Sequence, residues 1–231
     1  MEEVAPRLSF SNQSIWYHLL LQTTQNQPFI RHAVVTIGAL CRLSSVLGTK
    51  DKSTLGIQRL PQLFPGCNEP SVTKQYYEFA LQQYDKFLTA AKDQISVDVV
   101  LVDDHMRRTA LIACLLVVCI ENLQFRYTVA LTHAQNGLRL MQEYIDTAPK
   151  RDYTYGTTSS PPYAIEDELV LQFKRLDLQT LSYYGARTPV DHGKVKCEGS
   201  SRMRSMPDAF TDIDEARLYL DIVMRRTYHF M

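Results

Sequence analysis

Residues Thr109 to Tyr144 read TALIACLLVVCIENLQFRYTVALTHAQNGLRLMQEY, and the fold turns on how this stretch divides. Ala110 to Ile120 is apolar without a break, so a helix over these residues has to be surrounded by other protein. Past Arg126 the apolar residues keep to a stripe, with Ala130, Ala134, Leu138 and Met141 on one side and Leu131 and Leu140 widening it. The two halves form a helical hairpin, the first member buried and the second amphipathic. A buried helix needs a sizeable helical domain around it. The expected class is therefore all-α, an irregular multi-helix domain closed on a central buried hairpin with long polar loops, occupying residues 1–231 as a single domain. Gly137 interrupts the second helix in mid-course at about 1 kcal/mol relative to Ala, and the simplest compensation is another helix approaching closely there.

Helical signals recur on both sides of the hairpin. A first helix is predicted from Ser14 to Thr24, with Trp16, Leu19 and Leu20 on its apolar side, interrupted by Gln25-Asn-Gln-Pro28. Pro28 suits the first turn of a second helix reaching about Ser45, where Ile30, Val34, Ile37 and Cys41 share a face. Periodicity is lost between Val46 and Pro70, which holds three prolines and three glycines and reads as an exposed loop. A third helix from Ser71 to Asp93 carries the stripe Tyr77, Ala80, Tyr84, Phe87, Leu88 and Ala91. Asp103 or Asp104 caps the buried helix, which runs to about Leu123, and the amphipathic one runs from Arg126 or Tyr127 to about Ile145.

A polar loop from Asp146 to Ala164 precedes a sixth helix, with Glu166, Asp167 and Glu168 against its dipole and Leu169, Phe173, Leu176 and Thr180 on its inner face. A second polar loop reaches Ala209 and holds Arg187, Lys194, Lys196, Arg202 and Arg204. Asp191 and Glu198 dilute that basic run, and it has no aromatics on which bases could stack, so it reads as solvated. Asp212 and Glu215, at capping-box spacing, open a last helix whose Ile213, Ala216, Leu220 and Val223 face one way. That helix stops at an apolar edge beside Phe230, as a truncated one would. A single recurrence, Tyr77-Glu-Phe-Ala-Leu81 and Tyr127-Thr-Val-Ala-Leu131, is spaced more widely than helix-pair repeats and occurs once.

Composition narrows the function classes. With 25 basic and 25 acidic residues in 231 and 45% hydrophobic content, the chain offers no net field to a polyanion. The Ala110–Ile120 run is well short of the roughly 20 apolar residues of a membrane span, and MEEVAPRLSF lacks the basic segment of a signal peptide. Cys41, Cys67, Cys114, Cys119 and Cys197 are scattered without Cys-x-x-Cys spacing, and Cys114 and Cys119 turn to different helix faces; reduced thiols imply cytosol or nucleus. His18, His32, His105, His133, His192 and His229 stand singly, and neither a Gly-rich phosphate loop nor a Gly-x-Ser-x-Gly elbow occurs. The reading is a soluble intracellular non-enzyme, with no catalytic, cofactor-binding or metal-ligating residue nominated and no cofactor. Glu121, Arg126, Arg175 and Asp177 sit beside apolar runs, where unpaired charge is costly, and some of them are expected to pair across helices, with Glu121–Arg175 the first pair to test.

Several stretches carry a family resemblance. Trp16-Tyr-His-Leu-Leu-Leu with Pro28 to Leu40, Tyr77-Glu-Phe-Ala-Leu-Gln-Gln-Tyr84, Leu111 to Met141, Phe173-Lys-Arg-Leu-Asp-Leu-Gln179 and Asp214-Glu-Ala-Arg-Leu-Tyr-Leu-Asp221 together resemble the regulatory middle region of fungal zinc-cluster transcription factors. The DNA-binding module of that family holds two zinc ions on a tight run of six cysteines, and no such run occurs here. The resemblance implies a transcription regulator without its own DNA-binding cluster. It would be nuclear, tied to a metabolite pathway, and would act through protein partners (the transcription machinery or a related zinc-cluster factor), with a small-molecule effector as a further expectation. It implies no catalytic residues. The alternative from another class is a helix-repeat scaffold unrelated to transcription, which regular pair-to-pair stacking with an exposed concave face would favour.

Overall fold

The computed structural model describes residues 20–48, 70–95, 103–147, 165, 167–184 and 199–228. Among these residues there are eight helices and no strand: α1 (Leu20–Asn26), α2 (Pro28–Gly48), α3 (Pro70–Gln94), α4 (Asp104–Leu123), α5 (Tyr127–Thr147), α6 (Asp167–Tyr184), α7 (Ser200–Arg204) and α8 (Ile213–Tyr228). The chain is all-α, as its periodicities require. Ser14 to Leu19, most of the Val46–Pro70 loop, nearly all of the Asp146–Ala164 loop and the final Phe230 lie outside the described residues.

Local chemistry sets the ends of the central hairpin. Asp103 is extended, and its carboxylate accepts the His105 amide at 3.0 Å, satisfying one of the orphan donors of the first turn of α4. At the far end Arg126 N–H donates to Glu121 O at 2.8 Å and Phe125 N–H to Asn122 O at 3.0 Å, the paired bonds of a Schellman stop. That motif places its penultimate residue in the left-handed region, where Gly is usual. Here it is Phe125, at φ 59°, which costs on the order of 1 kcal/mol. Its ring packs edge-on to Tyr127, with centroids 6.2 Å apart.

Neighbouring helices are joined in the order α3, α2, α4, α5, α6, α8, with α1 leaning on α2. The Phe29 ring of α2 stacks on Phe87 of α3, and His32 Nδ1 lies 2.7 Å from Gln83 Oε1. Ile112 and Leu115 to Ile120 of α4 are buried, and one contiguous core runs from Leu20 of α1 through Leu176 of α6. Cys114 and Cys119 do face different neighbours: the Cys114 thiol donates to His133 O of α5 at 2.9 Å, whereas Cys119 lies near Cys41 of α2. Two stripes are narrower than their sequence pattern. Leu88 of α3 is exposed, and α5 buries Ala130, Ala134, Gly137, Met141 and Tyr144 while Leu138 is only half-buried. α6 is buried more widely than its predicted face, with Val170, Leu171 and Gln172 also inside.

Gly137 is the point of closest approach. A Cβ there would stand 2.5 Å from Cys114 Sγ and 2.6 Å from Phe173 Cε1, so α4, α5 and α6 converge on its bare backbone. Gly137→Ala is expected to destabilise the protein by about 1–3 kcal/mol, because overpacking outweighs the roughly 1 kcal/mol that alanine contributes to helix propensity. Thermal or urea unfolding measures this; a variant more stable than the parent would contradict the packing.

Candidate interaction surface

Buried charge locates the parts of the fold that need exact partners. Glu121 is only 2% exposed. The Tyr84 hydroxyl of α3 donates to its Oε1 at 2.6 Å, and Arg126 Nε stands 3.2 Å from Oε2 as an ion pair without hydrogen-bond alignment. This triad ties α3 to the turn of the central hairpin. Burial, and then the bond to Glu121, push the Tyr84 hydroxyl above its ordinary value of 10.0.

The second polar cluster joins α6 to α8. Arg175 Nε donates to Asp221 Oδ2 at 2.8 Å; Arg225 Nη1 donates to Asp177 Oδ2 at 3.0 Å and to Lys174 O at 2.8 Å. Asp177 and Arg225 are both buried. All four charges singled out from the sequence therefore pair, but Glu121 and Arg175 do not pair with each other. Glu121 finds Tyr84 and Arg126, and Arg175 finds Asp221, a residue too distant in sequence for spacing to nominate.

Those pairs decide how α8 lies. Asp221 and Arg225 are one turn apart, so engaging both brings Tyr219 and Ile222 inward with them. The region expected to be a polar loop contributes the short helix α7, which helps to hold that side: Arg202 lies over the Tyr219 ring at 5.7 Å, and a Cβ on Gly199 (φ 67°) would meet Ile222 Cγ2 at 3.0 Å. Phe210 packs on Tyr219 with ring centroids 5.4 Å apart. The start of α8 is a displaced capping box, in which Asp212 Oδ1 accepts the Glu215 amide at 2.8 Å while Glu215 Oε2 accepts the Thr211 amide at 2.8 Å.

The side of α8 that carries Ile213, Leu220 and Val223 consequently points outward. Ile213 is 76% exposed and Leu220 58%, with Val223 and Met224 exposed beside them. Tyr219 and Ile222 are buried yet outside the contiguous core, so α8 is attached at its edge. These apolar residues lie on the side of α8 away from α6 and make it the candidate interaction surface.

Among the described residues no three His, Cys, Asp or Glu side chains are placed to hold a metal ion, and no helix is long and apolar enough to cross a membrane. His32, His105 and His133 lie on α2, α4 and α5; His18, His192 and His229 are outside the described residues, as are Cys67 and Cys197. The thiols are muted by burial, which pushes Cys114 from its ordinary 9.0 up to about 12 and raises Cys119 as well. No family model, curated protein or solved structure matches the chain.

The raised thiols and Tyr84 give stability an alkaline limit. An acid whose folded pKa is raised keeps its proton in the native state while the unfolded chain releases it. The stabilising difference is whole below the unfolded value and is lost as pH rises from about 9 through the folded value near 12 for Cys114, with Cys119 and Tyr84 acting in the same direction. Urea midpoints should fall steadily above pH 9, and Cys114→Ala should flatten that slope; an equal slope in the variant would remove Cys114 from the account.

Proposed function

We propose that this chain is a regulatory interaction domain of the fungal zinc-cluster transcription-factor type, working in the nucleus through protein partners and tied to a metabolite pathway. It has no DNA-binding cluster of its own in this reading and does not contact DNA directly. The carrying observation is where the resembling stretches fall: Pro28 to Leu40, Tyr77 to Tyr84, Leu111 to Met141, Phe173 to Gln179 and Asp214 to Asp221 lie on α2, α3, α4–α5, α6 and α8, the helices that make up the packed body. A surface built from docked helices, with an apolar outer face on α8, suits protein docking rather than chemistry. The non-enzyme reading belongs to this proposal and rests on the lack of any nominated residue.

A second reading, a helix-repeat scaffold, draws on the neighbour-to-neighbour order of the helices. Contacts that skip neighbours weigh against it. Tyr84 of α3 reaches past α2 to Glu121 of α4, which closes the bundle instead of extending it.

The test is tethering. Fused to an unrelated DNA-binding module in a fungal host, the chain should raise or lower transcription of a reporter bearing that module's site, while the unfused chain should not shift promoter DNA. A folded fusion that leaves the reporter unchanged, together with unchanged transcripts on deletion of the gene, would end the transcriptional reading and leave the scaffold.

A further inference from the structure

We propose that Ser205 is a phosphorylation site for an arginine-directed protein kinase, and that the phosphate draws Arg202 away from Tyr219 and so loosens α7 from α8. The inference goes beyond the regulatory reading and does not depend on it. Ser205 is exposed in the turn that ends α7, and Met206 to Phe210 continue without helix. A kinase cleft takes its substrate as an exposed, extended length of chain, which a hydroxyl on such a turn presents at small cost. Arg202 and Arg204 stand three residues and one residue before Ser205, and Met206, 44% exposed, directly follows it. Two guanidinium groups there suit the carboxylates with which an arginine-directed kinase holds its substrate, and Met206 suits an apolar pocket next to the acceptor. In the transfer Ser205 Oγ attacks the γ-phosphorus of ATP, its proton passes to the carboxylate base of the kinase, and the bond from that phosphorus to the bridging oxygen breaks to release ADP.

The surroundings of Ser205 give the phosphate a structural effect. The Ser205 hydroxyl and amide both donate to the Arg202 carbonyl at 3.1 Å, the Tyr219 hydroxyl donates to the Ser205 carbonyl at 3.5 Å, and the Arg202 guanidinium lies over the Tyr219 ring. Ser205 is thereby bonded into the contact between α7 and α8. Phosphorylation removes the hydroxyl donor and sets a charge of about −1.5 to −2 among the carbonyls at the end of α7, where it is repelled. Arg202, one turn earlier, is within reach of that phosphate, and a charge-assisted bidentate pair outweighs a cation held over a ring. Withdrawing Arg202 uncovers Tyr219, the buried ring by which α8 fits beneath α7.

The full chain, incubated with a purified calmodulin-dependent protein kinase and ATP, should gain phosphate at Ser205, located by fragment mass spectrometry. Arg202→Gln should slow that transfer about tenfold or more, and Ser205→Ala should abolish it at this position while keeping the melting transition of the parent. In the phosphorylated chain, amide exchange in α7 and around Tyr219 should quicken about tenfold and return to the starting rate on treatment with a phosphatase. Ser205→Ala, which loses the hydroxyl without gaining charge, should exchange at close to the parent rate. A chain that takes no phosphate at Ser205, or takes it equally well as Arg202→Gln, would overturn the kinase site; exchange unchanged or slowed by the phosphate would overturn the withdrawal of Arg202.

Discussion

Asp177→Ala is expected to lower the stability of the α6–α8 junction by about 3–5 kcal/mol, the usual penalty for stranding one partner of a buried ion pair. Asp177 and Arg225 are both buried, and Arg225 bridges the Asp177 carboxylate and the Lys174 carbonyl. Removing the carboxylate takes from the buried guanidinium the opposite charge that stands 3.0 Å from it. Arg225 can escape only if α8 lifts away, so the loss is capped by the free energy with which α8 is docked. Two measurements follow from this. Urea unfolding should show the loss, and hydrogen exchange should show it concentrated in α8 and spare α4. Replacing both residues together, Asp177→Leu with Arg225→Met, should cost far less than the two single changes summed, because an apolar pair of similar volume needs no partner charge. Additive single effects below about 1 kcal/mol each would mean that the pair is hydrated and does not set the orientation of α8.

Leu115→Ala should cost about 2–5 kcal/mol, the range for deleting a buried leucine from a core that cannot collapse to fill the space. Leu115 lies on α4, flanked by helices that are themselves tied together by the Tyr84–Glu121 bond and the close approach at Gly137, so relaxation into the cavity is restricted. Leu116, with no exposure at all, should lie nearer the top of the range than Leu115 at 8%. Here the loss is global, and exchange protection should fall across α2, α4 and α5 together. An unfolding transition unchanged by Leu115→Ala would show that α4 is not the centre of the fold.

Much of the architecture could be read in advance because its causes are local. The Asp103 cap, Pro28 in the first turn of α2, the unbroken apolar run of α4 and the compensation required at Gly137 each depend on residues within one or two turns, and the structure has all of them in place. The turn at Phe125 lacks the glycine that usually announces a Schellman stop, and only the change in apolar pattern marks it in the sequence. The weaker expectations were those about partners. That buried charges such as Glu121, Arg175 and Asp177 need partners followed from the cost of burying charge, and Arg126 lies close to Glu121 in sequence; the distant partners did not follow, since Tyr84, Asp221 and Arg225 are 37 to 48 residues away.

By itself, then, the sequence determined an all-helical body around the Ala110–Ile120 segment, because a run with no polar side can be solvated nowhere. It also determined that α8 has an apolar face, since periodicity is intrinsic to a helix. Which side of α8 meets the body was decided only by tertiary structure. Two ion pairs to α6, with Tyr219 and Ile222 fitting beneath α7, turn the more polar side inward and leave Ile213 and Leu220 in solvent. A hydrophobic pattern states that a face wants cover; the geometry of distant charges settled that the other described helices are not what covers it.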